Sequence, residues 1–166
     1  MAATIGSTTT AQVMQLITGA SGVNSSLAAL ALTDQALAGP LDLTQIRAQN
    51  VAADLAERAT TVTYPNLNVY CEKVTNQLTE KFRTFSGTAQ MTIEVRHSQD
   101  RLDGLQDSLQ LYTDAVTQVL AANRGDWGNG MFYAGGYEAS FGAVKQGGKN
   151  FIQVAKVTFG IGVSVS

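Results

Sequence analysis

The chain has little of what most metal and catalytic sites are built from. Its 166 residues include one cysteine, Cys71, and one histidine, His97. A single cysteine excludes an intramolecular disulfide framework and a zinc site made of several cysteines. A single histidine excludes a site that needs several histidines from one chain. No serine lies in the G-x-S-x-G pattern of a hydrolase nucleophile.

Charge is also scarce. Asp, Glu, Lys and Arg make up 14% of the residues, whereas about 25% is typical of soluble domains. The net charge of −2 and the lack of any Lys/Arg run exclude a strongly basic nucleic-acid-binding protein. The surface must therefore consist largely of uncharged polar and apolar groups, which favours a subunit of an assembly.

Long apolar runs are missing as well. The longest one, Leu27 to Leu32, has six residues, far fewer than the ~20 that a membrane-spanning helix needs. The first residues do not show the basic segment and apolar core of a signal peptide. We therefore expect a soluble protein, without a membrane partner, that is made in a reducing cytoplasm.

Residues 1–41 form a distinct block in which Asp34 is the only charge. Apolar residues recur at helical spacing in two segments, which break at Gly19 and stop at Gly39-Pro40. The block is predicted to be a helical arm that packs on its own domain or on a neighbour; a weakly ordered tail is the alternative. The apolar positions are Val13, Leu16, Ile17 and Ala20, then Leu27, Leu30 and Leu37.

A further helix is predicted from Leu43 to about Ala59. Asp42 and Gln45 have the spacing of a capping box at its start. The β-branched run at residues 60–63 prefers strand, so the change from helix to sheet is expected near residue 60.

Residues 42–166 are predicted to form one α+β domain. Strands are expected at 67–74, 89–98, 131–141 and 151–165, and an amphipathic helix at 100–122 whose apolar stripe begins with Leu102. The fold class is thus an N-terminal helical arm and helix followed by a β-β-α-β-β domain, with an antiparallel sheet packed on a long helix. Residues 157–166 carry no charge, so the last strand should be paired rather than exposed at an edge.

The glycines between Gly125 and Gly148 do not form a phosphate-binding loop. Ala143 and Asn150 occupy two defining positions of the Walker pattern, and Tyr133 replaces the last glycine of a G-x-G-x-x-G match. We expect these glycines to shape turns. No cofactor, metal or catalytic residue is predicted.

A series of short motifs stands out between residues 64 and 163. It comprises Tyr64-Pro65 before Val69-Tyr70, EKFR at 80–83 with FSG at 85–87, IEVR at 93–96, SQDR at 98–101, RGDW at 124–127 and GGKNF at 147–151. Together these motifs resemble the tail-terminator and neck proteins of tailed bacteriophages. The predicted α-β-β-α-β-β order is similar to the tail-terminator fold.

This resemblance implies a structural role rather than an enzymatic one. Such proteins form a homo-oligomeric ring, usually of six copies, at the head-proximal end of the tail tube. The ring ends tube polymerisation and joins the tail to the head connector, while DNA passes through its lumen without specific binding. The implied partners are the tail tube protein and the connector proteins, and the implied location is the neck or tail of a virion assembled in the host cytoplasm.

If the chain forms such a ring, aromatic residues are the expected anchors between subunits, because interfaces are enriched in them. The alternative is that these rings pack into the core of their own domain. The candidate interface residues lie in the hairpin region and the terminal strand: Trp127, Phe132, Tyr133, Tyr137, Phe159 and Ile161.

Two other functions remain open. Another phage structural protein, such as a head-completion or tail-tube subunit, would share the composition, but a tube subunit would polymerise into open stacks instead of closing a ring. A small-ligand-binding module or an enzyme would need a site assembled between subunits.

Overall fold

A computed structural model describes residues 4–31, 40–59, 62–147 and 150–166. Three of its helices pack on one face of a single mixed sheet. The elements are α1 (Ile5–Thr18), α2 (Val23–Ala31), a 3₁₀ turn (Leu43–Gln45), β1 (Ile46–Arg47), α3 (Ala53–Ala59), β2 (Asn66–Asn76), β3 (Phe85–Gln99), α4 (Leu105–Ala122), β4 (Gly125–Gly128), β5 (Met131–Tyr133), β6 (Tyr137–Phe141), β7 (Lys145–Gly147) and β8 (Asn150–Val165).

Two long antiparallel strands, β3 and β8, form the centre of the sheet. They pair without interruption from Phe85 opposite Val165 to Gln99 opposite Phe151. On the far side of β3 lie β2 and then β1, which runs parallel to β2. The outer edge of β8 is shared in succession by β7, β6 and β5, and β4 pairs with β5. The α+β class is therefore confirmed, and the uncharged end of β8 is paired inside the sheet.

The core lies between this sheet and α4. Odd-numbered residues of β3 and β8 point to the helical side because side chains alternate along a strand. They meet the apolar stripe of α4, and together they form the centre of the buried cluster: Met91, Ile93, Val95, Val157, Phe159, Ile161, Leu109, Val116 and Val119.

The N-terminal arm packs on its own chain. Val13 and Ile17 of α1 and Val23 and Leu27 of α2 belong to the same core as the sheet. The side chain of Asn24 then holds the start of the following segment, because its Nδ2 donates to the Leu41 carbonyl and its Oδ1 accepts from the Leu41 amide, both at 2.7 Å. Leu37 lies outside the described residues.

The predicted helix from 43 to 59 is wrong in its first half. The capping box at Asp42 and Gln45 is present, but it starts a 3₁₀ turn and not an α-helix. The chain then becomes extended because Ile46 is buried and pairs with Leu67 in the sheet. Only α3 remains helical. Of the β-branched run, residues 60–61 lie outside the described residues and 62–63 are not in a strand.

The long helix begins later than predicted. Gly104, with a φ of 78°, precedes its first residue, Leu105. Leu102 therefore lies in the loop between β3 and α4, where it is 58% exposed instead of part of the helical stripe. The predicted strand at 131–141 is divided into β5 and β6, and the short strands β4 and β7 were not predicted.

Candidate subunit interface and sheet groove

Three of the six candidate interface residues are buried in the chain's own core. Tyr133 and Ile161 are fully buried and Phe159 nearly so. The Tyr133 and Phe159 rings meet edge to face, with centroids 5.7 Å apart. These side chains face the helical layer and therefore present no surface to another subunit. Their assignment to an interface is corrected to a place in the core.

Trp127 is half-buried against the same core. Its ring centroid lies 5.7 Å from that of Tyr133. Its indole Nε1 donates to the carbonyl of Asn123 at 2.6 Å, which ties β4 to the C-terminal end of α4. These contacts match the alternative in which the aromatic rings pack into their own domain.

Phe132 and Tyr137 remain exposed. Phe132 lies on β5 and Tyr137 on β6, along the same outer edge of β8, and Phe141 is exposed at the other end of β6. Every residue of β6 is exposed, and among the strands that the structure describes β6 pairs only with β8. This edge is the part of the predicted interface that is open to a partner.

A further exposed aromatic residue, Phe82, was not among the sequence-based candidates. It lies in the loop 77–84 between β2 and β3, is 99% exposed and has a φ of 64°. The loop is fixed at its base, where the Asn76 Oδ1 accepts hydrogen bonds from the amides of Leu78 (3.2 Å) and Ser86 (3.1 Å). The EKFR motif contained Phe82, but exposure is not readable from a motif.

The face of the sheet opposite α4 carries a groove of about 720 Å³. Its floor is formed by even-numbered residues of β3 and β8, and its walls by residues at the start of α3 and in the β6–β7 segment. A volume of this size lies in the range of ligand-binding clefts. The lining includes Ala52, Phe141, Ala143, Ile152 and Val154 as apolar groups and Glu94, Arg96, Lys145 and Lys156 as charged groups.

A buried ion pair lies at the floor of this groove. Arg96 Nη2 and Nε approach Glu94 Oε2 at 2.6 and 3.1 Å. Arg96 Nη2 also donates to the carbonyl of Val51, which joins the chain before α3 to the sheet. The other carboxylate oxygen of Glu94 accepts from the Tyr70 hydroxyl at 2.9 Å and lies 3.6 Å from Lys156 Nζ. Both charged groups of the pair therefore have partners within the chain, and the pair links the segment before α3 to the sheet.

The pKa shifts of the ionisable groups near the sheet are explained by burial and by neighbouring charge. Burial and the neighbouring Glu94 carboxylate raise the pKa of Tyr70, so its hydroxyl stays a hydrogen-bond donor. Burial lowers the pKa of His97, whose ring centroid is 6.1 Å from that of Tyr112 on α4. Burial raises the pKa of the Cys71 thiol, which favours the unreactive protonated form.

The described residues contain neither a metal-binding cluster nor a membrane-spanning helix. Within residues 4–31, 40–59, 62–147 and 150–166, no three His, Cys, Asp or Glu side chains lie together so that they could hold a metal ion. Over the same residues, no helix is long and apolar enough to cross a membrane.

Comparison with known proteins gave no family. No protein-family model matches the chain, and a search of curated proteins gave no match.

Proposed function

We propose that this chain is a structural virion protein of a tailed bacteriophage, which forms a ring at the head-proximal end of the tail. In this role it ends polymerisation of the tail tube and joins the tail to the head connector, with DNA passing through the lumen. The proposal rests on the motif resemblance over residues 64–163 together with the exposed apolar surface of the fold.

The contacts of the motif residues support a structural rather than a catalytic role for these residues. Glu94 and Arg96 of the IEVR motif make the buried ion pair under the groove. Trp127 of the RGDW motif ties β4 to α4. Glu80 and Arg83 of the EKFR motif pair with each other at 3.4 Å within the exposed loop. Each of these contacts fixes the position of a loop or a strand.

The observation that carries the proposal is the free edge of β6 with the exposed aromatic residues on and near it. Phe132, Tyr137 and Phe141 are all exposed there, and β6, which carries Tyr137 and Phe141, pairs only with β8 among the described strands. Exposed aromatic groups beside an open strand edge are typical of protein–protein contacts. Only 14% of the residues in the chain are charged. Contact with other subunits accounts for so uncharged a surface, whereas a free monomer does not.

The decisive experiment is native mass spectrometry of the purified chain over a concentration series, with negative-stain imaging of the same samples. We expect one closed species, of six chains if the resemblance holds, that does not grow as concentration rises. These rings should bind one end of tail tubes from the phage that encodes the chain and stop their elongation.

Other outcomes would contradict the proposal in different ways. Open-ended stacks that lengthen with concentration would indicate a tail-tube subunit. Closed rings that bind the head connector but not the tube would indicate a head-completion protein. A monomer at every concentration that also fails to bind tubes would remove the structural role.

A further inference from the structure

We infer that the loop between β3 and α4, residues 100–104, of one copy docks in the sheet groove of a second copy. The inference rests on the proposed function, because it names the contact by which copies of this chain associate. It follows from the order of the loop, the charge and apolar lining of the groove, and the position of each in the fold.

Hydrogen bonds within the chain hold the loop in one conformation. The side chain of Gln99 donates from its Nε2 to the carbonyls of Arg101 (2.7 Å) and Asp103 (2.6 Å). The carbonyl of Leu102 accepts from the amide of Leu105 at 3.3 Å. A loop that is already ordered loses little conformational entropy on binding, which favours its use as a docking element.

The loop presents one apolar side chain among charged ones. Leu102 is 58% exposed, and Asp100, Arg101 and Asp103 around it are exposed as well, so two carboxylates outnumber one guanidinium. Because α4 starts only at Leu105, Leu102 is outside the helical stripe that would otherwise bury it. Among the described residues, Leu102 does not belong to the buried core cluster.

The lining of the groove complements the loop in its apolar groups and in its charge. Its described lining offers aliphatic groups from Ile152, Val154 and Ala143. Of its described charged side chains, Arg96, Lys145 and Lys156 are cationic and Glu94 alone is anionic. Glu94 pairs with Arg96 and lies 3.6 Å from the Lys156 ammonium group, so cations outnumber it in the lining and the exposed ammonium group of Lys145 sets the charge at the rim. A loop with two carboxylates, one guanidinium and one apolar anchor complements such a site through its carboxylates, since opposite charges favour correct encounter and register.

Because the loop and the groove lie at different places on the chain, the contact joins two different surfaces. The loop leads from the sheet to α4, which covers one face, whereas the groove lies on the opposite face. A contact between two different patches propagates from copy to copy, and it produces a ring when the rotation closes. The contact is therefore of the kind that the proposed ring requires.

A charge exchange tests the inference. Lys145→Glu and Asp103→Lys, each alone, should weaken self-association about tenfold or more, measured as the dissociation constant by analytical ultracentrifugation. The chain that carries both substitutions should return to within about threefold of the original constant, because the pair is restored with opposite sign. Lys81→Glu, the same charge change on the loop 77–84, is the matched control and should leave the constant unchanged.

A second variant examines the apolar anchor. Leu102→Ser should weaken association about tenfold while the melting temperature of the monomer is kept, because the side chain is exposed in the single chain. In a Cys71→Ser background, a mixture of Leu102→Cys and Ala143→Cys chains should form a disulfide-linked heterodimer on mild oxidation. Each cysteine variant alone should not form this species.

The results separate the inference from the proposed function. Closed rings that all these variants still form would overturn the docking contact and leave the ring function standing. Restored association that yields only open-ended assemblies would support the contact and contradict the ring. Single substitutions that weaken association without recovery in the double variant, or a chain that stays monomeric throughout, would overturn the inference.

Discussion

Glu94 and Arg96 form a buried ion pair between residues that lie one pleat apart on the same face of β3. The guanidinium approaches one carboxylate oxygen at 2.6 and 3.1 Å, while the Tyr70 hydroxyl donates to the other at 2.9 Å. Removal of one partner from such a pair is costly because the other is left charged and poorly solvated.

We expect Arg96→Met to lower the free energy of unfolding by about 3–5 kcal/mol, since it strands the Glu94 carboxylate. Adding Glu94→Gln should recover about 2 kcal/mol or more, because a neutral amide needs no counter-ion and still accepts from Tyr70. Urea unfolding of both variants measures the difference. Lys156→Met, at the exposed end of the network, should cost less than about 1 kcal/mol. A double variant no more stable than Arg96→Met would contradict the pair's role.

The neighbours Phe132 and Tyr133 provide a matched comparison on one strand. Tyr133 is fully buried, so Tyr133→Ala should cost about 4 kcal/mol in thermal or urea unfolding. Phe132 is 54% exposed, so Phe132→Ala should change stability by less than about 1 kcal/mol but weaken ring formation in native mass spectrometry. Equal losses of stability would place Phe132 in the core, and unchanged rings would remove it from the interface.

Two glycines should respond in opposite ways to alanine. A Cβ on Gly6 of α1 would lie 3.6 Å from Cys71 Sγ, an ordinary contact, so Gly6→Ala should stabilise the protein by about 0.5 kcal/mol. A Cβ on Gly87 of β3 would clash with the Thr75 carbonyl oxygen, so Gly87→Ala should destabilise it by about 3 kcal/mol or more. Calorimetric melting of the two variants checks both signs. A tolerated Gly87→Ala would show that β2 and β3 are not paired this closely.

His97 should make stability depend on pH. Because burial lowers its pKa below the ordinary 6.5, the unfolded chain binds a proton more readily than the folded one. The part of the free energy of unfolding that depends on His97 being neutral is therefore fully present above about pH 7.5. It is lost as the pH falls through 6.5 towards the lowered pKa of His97 in the folded chain. Urea unfolding between pH 7.5 and 5.5 should show this loss, and His97→Gln should reduce it. The same slope in both proteins would assign the pH dependence to other groups.

The strongest elements of the fold were predictable because their patterns repeat. The alternation around Met91, Ile93 and Val95 predicted β3, and the stripe through Leu109, Val116 and Val119 predicted α4. In each, a buried face recurs with the period of the backbone, so local sequence carries the information. The interface residues carry no such period, because an aromatic side chain suits a core and a contact surface equally well.

The boundaries of two elements departed from the local apolar spacing. Leu102 continued the helical spacing, but Gly104 starts the helix later and leaves Leu102 in a loop. Ile46 continued a predicted helix, but its pairing with Leu67 draws it into the sheet. Such a choice depends on whether burial and pairing elsewhere in the fold outweigh a weak local preference.

Local sequence patterns were enough to predict the α+β class, the two central strands and the main helix, and the composition fixed the scarcity of charge. The packing of distant segments placed Tyr133, Phe159 and Ile161 in the core and left Phe132, Tyr137 and Phe82 exposed. It also created the groove, whose floor joins β3 to β8 and whose walls come from α3 and the β6–β7 segment. Periodicity is a local property of the chain, whereas exposure and concavity arise only when distant segments pack together.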